Sequence, residues 1–514
     1  MTRGPDGEEP LVVVGGSDGV AAVLTEVDAA GRTLGEVARR LAGLAADVSR
    51  LAASPDLLAA GVLAPLGAAR VHAELLTLAG PTGLLGAATQ TEGLGVAVRA
   101  ATTAYRKAER AAEALINGAD HLAGYLLGRY VGTAIIAGVA LSTPSALIAG
   151  AATLAHPSTR HLTLTAFRQR SEIGGRLSEQ AGTSLDRWLF DHPWLTDHAA
   201  ESLDGLILGV GDGVAPIGWW LRWRSLRAGT PYPPHSQEEA LQVVLAIAAG
   251  TALDEGGRGI RVKPRRVVGA SAPQDLADLV ADDGRASGGR DVRVIGVPQA
   301  DGSWGWIVDI PGTQDFTPFA GDNPWDSTSN VRLEAGLTTA TMAGVERALS
   351  DAKSRVGGPA DARRRDRVLL SGHSQGGITA AALAAQPEFR ARHAGLRHII
   401  TSGAPIGRSG LPPEIHVLSL EHEQDLVPRL DGEDNPDRPN WVTVRRDLAD
   451  ELGQHGRSTG AHDGSRYGET AALAEHQQHP SVATWLAEIE PFLDREGTRE
   501  GVVVVDYRLA REPP

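Results

Sequence analysis

The stretch RVLLSGHSQGGITAAALAA, residues 367 to 385, decides how this chain is read. An apolar, β-branched run enters it and a run of small helix-forming residues leaves it. Between them Gly372-His373-Ser374-Gln375-Gly376 is followed by a further glycine, Gly377. A serine between glycines at a strand-to-helix corner is forced into a turn too sharp for neighbouring side chains. The turn lifts the hydroxyl above the C-terminal edge of a sheet, beside a helix N-terminus whose dipole favours developing negative charge. Glycine is 62 of 514 residues, so the bare pattern carries little weight. Its context carries more, because a strand precedes and a helix follows.

Working outward, short β-type runs appear at 292 to 297, 304 to 310, 367 to 372, 397 to 403, 415 to 421 and 441 to 446. Helical segments separate most of them, notably 331 to 356, 377 to 386 and 480 to 494. Strands alternating with helices predict an α/β fold, a mostly parallel sheet with helices on both faces. The first two runs are alternatively a hairpin, and GVVVVDY at 501 to 507 is expected as an added edge strand. The polar, glycine-rich segments EGGRGIRVKPRR and ADDGRASGGRD read as linkers. An all-α region precedes the sheet. The chain is therefore divided into a helical hairpin region at 1 to 130, an apolar helical region at 131 to 255, and an α/β domain at 256 to 514.

Composition narrows the function classes. The formal net charge is −14, which argues against nucleic acid or an anionic membrane surface as the main partner. Only Lys107, Lys263 and Lys353 among the 49 basic residues are lysine, a bias toward arginine that a GC-rich genome produces, so arginine clusters are not read as phosphate sites. There are no cysteines, which excludes disulfides, thiolate metal sites and a cysteine nucleophile. The opening MTRGPDGEEPLVVVGG lacks the basic-then-apolar order of a signal peptide. One run, 131 to 155, has membrane-spanning length, but Ser142-Thr143-Pro144 at its middle reads as a stop and restart between two short buried helices. Five of ten tryptophans, Trp188, Trp194, Trp219, Trp220 and Trp223, fall in the second region. They are assigned to core packing, with a lid or lipid-facing surface as the alternative.

A serine on such a corner is inert without a base and an orienting acid, which follow it in the order acid, then histidine. The acid belongs in a turn after a later strand. IHVLSLEHEQDLVPRLDG supplies Asp425 there, with Glu421 and Glu423 as rivals at the strand end. The histidine belongs after the last strand of that series, WVTVRR. His462 lies in a polar loop just before a helix; His455, His476 and His479 compete with it. His476 falls inside the helix as a surface residue, and His479, preceding Pro480, reads as an N-cap. An oxyanion needs two backbone N–H donors. Gln375 offers one, and the turn Pro311-Gly312-Thr313 after WIVDI offers the other, with the Thr313 hydroxyl in support.

Taken together, residues 290 to 495 resemble the α/β-hydrolase superfamily, and within it the class 3 (fungal-type) lipases and their actinobacterial relatives. The motifs that carry the resemblance are the elbow at 372 to 376, Gly312-Thr313 after a strand, and Asp425-x-Val427-Pro428. His462 to Tyr467 before a helix matches loosely. The resemblance implies Ser374 as nucleophile, His462 as base, Asp425 as orienting acid, and Thr313 with Gln375 as oxyanion donors, with no cofactor. Pro311 departs from the arginine usual in those lipases, so substrate class does not transfer with the fold.

The first 130 residues resemble, more faintly, helical-hairpin proteins exported by type VII secretion. Tyr105-x-x-x-Glu109 matches that system's signal, whereas the Trp-x-Gly of the typical hairpin turn is absent; the same pair is also an ordinary i,i+4 pair on a helix. The expected location is the cytoplasm or export by a type VII-like route. Asp322-Asn323-Pro324-Trp325-Asp326 and Asp431-Gly432-Glu433-Asp434 lack the spacing of a calcium loop and read as solvated loops, so no metal is expected. The resulting expectation is a serine hydrolase acting on carboxylic esters, lipids included. Its alternative is an exported interaction protein whose hairpin binds a protein partner and whose hydrolase domain is silent or transfers acyl groups.

Overall fold

A computed structural model describes residues 11–141, 186–213, 215–250, 252–267, 271–285, 291–317, 319–356, 364–453 and 456–513. The fold is mixed α/β, built on a nine-stranded sheet. In chain order the strands are β1 (Val12–Gly15), β2 (Ile260–Val267), β3 (Asp291–Pro298), β4 (Trp304–Ile310), β5 (Arg367–His373), β6 (Leu396–Ser402), β7 (His416–His422), β8 (Trp441–Arg446) and β9 (Val503–Arg511). Their spatial order is β1-β8-β7-β6-β5-β4-β3-β9-β2. The five from β4 to β8 are parallel, while β1 on one side and β3, β9 and β2 on the other pair antiparallel. β9 therefore runs with the parallel set, so most strands point one way.

The sheet is covered on both faces, which is why β5 carries Val368, Leu369 and Leu370 in succession. Its residues alternate: Val368 and Leu370 join one core with Trp306, Val308, Val345 and Leu349. Leu369 joins the other with Ile307, Ile400, Leu418, Tyr467 and Trp485. Each such side chain, fully buried, contributes about 1.5–3 kcal/mol. Helices Ala340–Arg355 and Gln375–Ala385 cover the first face; Gly464–Gln477 and Pro480–Ile489 cover the second.

The elements depart from the sequence expectation in instructive places. The segment 260 to 267, read as linker, is the outer edge strand β2. It therefore makes 503 to 511 an interior strand rather than an edge. Its Arg261, Lys263, Pro264 and Arg265 are the residues that edge strands carry to discourage further pairing, and they hide its strand character. β1 lies in the region assigned to the hairpin. The helix expected at 331 to 356 is two, Ser327–Glu334 and Ala340–Arg355, because Thr339 N-caps the second, accepting from the Met342 N–H at 3.3 Å. The helix expected at 480 to 494 ends at Ile489, one residue before a 3₁₀ turn containing Pro491.

Packing separates a second compact unit, Asp18–Ile116, from residues 1–17 with 117–514. That unit is more than a hairpin: Val20–Ala52, Pro55–Leu63 and Pro65–Ala79 precede a helix that starts at Leu84 and runs to Leu141. Gly31 and Gly95 let two of its helices approach, since a Cβ on Gly95 would stand 2.8 Å from the Gly31 carbonyl oxygen. In the region 131 to 255 the break at Ser142-Thr143-Pro144 falls outside the described residues, as do all of 142 to 185. The described remainder is helical, at Trp194–Glu201, Leu203–Gly213, Ala215–Ala228 and Gln237–Ala248. The tryptophans assigned to core packing are exposed instead, Trp219 at 72% and Trp194 at 52%. Among the described residues no helix is long and apolar enough to cross a membrane.

The two loops read as solvated are also buried in part. Asp326 is fully buried, N-caps Ser327–Glu334, and is paired with the fully buried Arg511 at 2.5 and 3.0 Å. Arg511 also donates to Glu255 at 2.9 Å and to the Asn323 carbonyl at 2.9 Å. Asp431 is buried as well and accepts from the Arg408 backbone N–H at 3.3 Å. Removing one partner of a buried ion pair strands the other's charge. Arg511→Ala should accordingly lower the unfolding free energy by about 3–5 kcal/mol in urea titration; a loss below about 1 kcal/mol would contradict this account of the network.

Candidate active site

Ser374 sits between the end of β5 and the first residue of helix Gln375–Ala385, with φ +54° and ψ −122°. A non-glycine residue in that region is strained by about 1–3 kcal/mol and persists only where its surroundings over-determine it. Here they do. The Ser374 N–H donates to the Ser402 carbonyl at 2.9 Å, and its own carbonyl accepts from Gly377 N–H at 2.9 Å and Ile378 N–H at 3.2 Å. A Cβ on Gly376 would stand 1.9 Å from the Ile310 carbonyl oxygen, and one on Gly372 would stand 2.3 Å from the Gly376 carbonyl carbon. These two glycines let the helix start directly against the end of β4. The turn that follows β4 is therefore brought to the serine: a Cβ on Gly312 would stand 3.3 Å from the Ser374 Cβ.

Asp425 and His462 come together. His462 Nδ1 donates to Asp425 Oδ2 at 2.6 Å, which leaves Nε2 as the ring's lone-pair nitrogen. Asp425 is fully buried and is held by two further donors, the Tyr467 hydroxyl to Oδ2 at 2.7 Å and the Val427 N–H to Oδ1 at 2.9 Å. The rivals lie elsewhere. Glu421 is paired with Arg445 at 2.9 Å. His476 is an exposed residue of Gly464–Gln477, and His479 N-caps Pro480–Ile489 through the Ser481 N–H at 3.3 Å. His455 lies outside the described residues.

His373 joins the two parts of the site. It is the chain neighbour of Ser374, its ring stands 4.6 Å from that of His462, and its Nε2 donates to the His462 carbonyl at 3.1 Å. Burial above all holds its pKa down to about 3, so the ring is neutral. Behind Asp425, His422 stacks on Tyr467 with centroids 3.8 Å apart. His422 Nδ1 donates to the Ala461 carbonyl at 2.6 Å and Nε2 accepts from the Thr470 hydroxyl at 2.8 Å. Burial depresses His422 to about 4, and burial followed by the Asp425 charge raises the Tyr467 phenol well above its usual value, keeping it a donor.

On the other side, Gln375 is the first residue of its helix, where backbone N–H groups have no intrahelical acceptor. Its buried side chain is tied down, Nε2 donating to the Asp326 carbonyl at 3.1 Å. The Thr313 hydroxyl accepts from Asn330 Nδ2 at 2.9 Å and so keeps its own hydrogen to donate. A cavity of about 370 Å³ runs along the same helix, lined by Leu333, Met342, Ile378, Ala381 and Ile406 but not by Ser374 itself. Glu334, Asp431 and Arg408 add charge to its wall; burial pushes the Asp431 carboxyl up to about 7 and Glu334 well above its usual value.

The sequence reading assigned no role to Tyr467, His373, His422 or Asn330. Tyr467 had a signal, five residues beyond His462 at helical spacing from Asp463, the helix N-cap. The others act through contacts that no local pattern encodes. Fold and site together describe a mixed α/β protein with a strained serine turn and a hydrogen-bonded pair of a buried Asp425 and a half-buried His462 at the same sheet edge. No family model matches the chain, and no curated protein or solved structure matches it.

His422 gives this arrangement a pH signature. The ring is neutral in the fold, whereas the unfolded chain takes a proton near 6.5. Its stabilisation is thus fully present above about pH 6.5 and is lost as pH falls toward about 4. The gap in unfolding free energy between wild type and His422→Gln should narrow by about 3 kcal/mol across that interval. Parallel curves for the two proteins would contradict it.

Proposed function

We propose that the chain is a serine hydrolase of the α/β-hydrolase type that cleaves carboxylic esters, lipids among them. The observation that carries this reading is the Ser374 turn at φ +54° set at the same edge as the His462–Asp425 hydrogen bond of 2.6 Å. Ser374 Oγ attacks the ester carbonyl carbon while His462 Nε2 takes the hydroxyl proton. Asp425 holds Nδ1–H and stabilises the imidazolium that results. The Gln375 N–H and Thr313 receive the carbonyl oxygen as it becomes an oxyanion, a contribution of about 2.7–4 kcal/mol per donor. Collapse expels the alcohol, protonated by His462, and leaves an acyl-serine. Water, giving its proton to the same histidine, then releases the acid.

Labelling with a fluorophosphonate probe tests this directly. Wild type should label, and Ser374→Ala and His462→Ala should not, while Ser374→Ala stays folded by circular dichroism. Labelling that persists in Ser374→Ala would place the nucleophile elsewhere.

A second reading concerns the unit Asp18–Ile116. Its apolar residues stand in solvent, with Val62 at 84%, Leu63 at 90% and Leu66 at 89% exposure. Tyr105 is exposed as well, as a recognition signal requires. That unit serves association with a protein partner, including a second copy of the chain, beside the hydrolase. Leu63→Glu with Leu66→Glu should lower the sedimentation coefficient if the unit self-associates; an unchanged value with a monomeric wild type would confine the reading to a different partner.

A further inference from the structure

At the opposite edge of the sheet from Ser374, three side chains converge on one point. His398 lies near the start of β6 and His416 at the start of β7, and the two are direct partners in the parallel register. Paired residues of neighbouring strands project to the same face, so both rings leave the sheet on one side. Helix Pro480–Ile489 crosses that face. Its Trp485, Leu486 and Ile489 belong to the same core as Ile400 and Leu418, which fixes the helix over the two strands and sets Glu488 above the histidines. His398 Nε2 stands 2.9 Å and His416 Nδ1 2.5 Å from one and the same oxygen, Glu488 Oε2. The three ligand atoms all lie within 4.8 Å of one another.

We propose that His398, His416 and Glu488 bind a divalent transition-metal ion, zinc by the chemistry of the set. Two imidazole nitrogens and one carboxylate oxygen are donors that zinc takes at about 2.0–2.2 Å, and a tetrahedral ion spaces such donors about 3.3 Å apart. The two nitrogens approach the oxygen from different rings and already stand within about 1 Å of that spacing. Glu488 is the member that adjusts, since its side chain is 34% exposed at the end of its helix. His398, only 12% exposed, is the anchored member. Its ring meets Trp485 edge-on at 6.1 Å and Phe492 at 6.5 Å. His416 is 38% exposed, so solvent reaches the cluster and water completes a fourth position. Nitrogen-rich sets of this kind suit zinc, copper or nickel and do not suit magnesium or calcium, which require oxygen cages.

The site does not rest on the hydrolase reading and takes no part in its chemistry. The histidines stand about five strand residues from the edge that carries Ser374, roughly 15 Å away. What the ion supplies is a clamp. It ties helix Pro480–Ile489 to β6 and β7, the strands whose far ends lead into the loops beside Ser374 and Asp425. An ion that binds the folded chain and not the unfolded one stabilises it, and the stabilisation grows with the logarithm of free ion once its concentration exceeds the Kd.

The test is titration of chelator-stripped full-length protein with Co²⁺, read by its visible d–d absorption, and with Zn²⁺, read by calorimetry and thermal unfolding. Wild type should take one equivalent at this site and show a melting temperature that rises with Zn²⁺. His416→Ala and Glu488→Gln should weaken binding at least tenfold and abolish the rise, while both apo variants match apo wild type in circular dichroism. A second trio, Asp120, His198 and Glu201, is the internal control. Wild type that binds no ion, or binding lost in His198→Ala but kept in His416→Ala, would overturn the proposal.

Discussion

Everything at the candidate site follows from the strained backbone of Ser374. A φ of +54° for a residue with a side chain costs energy, and the chain recovers it only by packing the elbow without slack. Gly376 must lack a Cβ because the Ile310 carbonyl occupies that space, and Ile310 is the last residue of β4. One steric constraint therefore does two things. It sets Ser374, buried at 8% exposure, at the sheet edge and draws the Gly312-Thr313 turn beside it.

The two halves of the site are held by different physics. Around Gln375, the side chain reaches the Asp326 carbonyl, and Asp326 is clamped by Arg511 from the end of β9. That network is buried and ionic, and its cost of desolvation is met by mutual pairing. Around His462, Asp425 is fully buried yet accepts from His462, Tyr467 and the Val427 N–H. Three donors let a carboxylate stay out of water, and the stacked His422 closes the space behind the phenol.

How much of this was legible in the sequence depends on the range of the interaction. The six strands from 292 to 446 announced themselves because strands buried on both faces are apolar throughout. Ser374, Asp425 and His462 were legible because a turn, a strand end and a helix start each have local signatures. β2 was not, because an edge strand is written in Arg, Lys and Pro, the same residues as a linker. Nor was the burial of Asp326, since its partner Arg511 lies 185 residues away. The tryptophans misled for a related reason. Composition favours a core for such residues, while Trp219 and Trp194 stand exposed on helices whose packing is set elsewhere.

The central claim is that Ser374 forms a covalent acyl intermediate with His462 as its base. The most direct measurement is pre-steady-state hydrolysis of a p-nitrophenyl ester, followed by mass analysis of the quenched protein. The account predicts a burst of nitrophenolate no greater than one equivalent per chain and an acyl adduct mapped to Ser374. Steady release with no adduct, at a rate unchanged in Ser374→Ala, would contradict it.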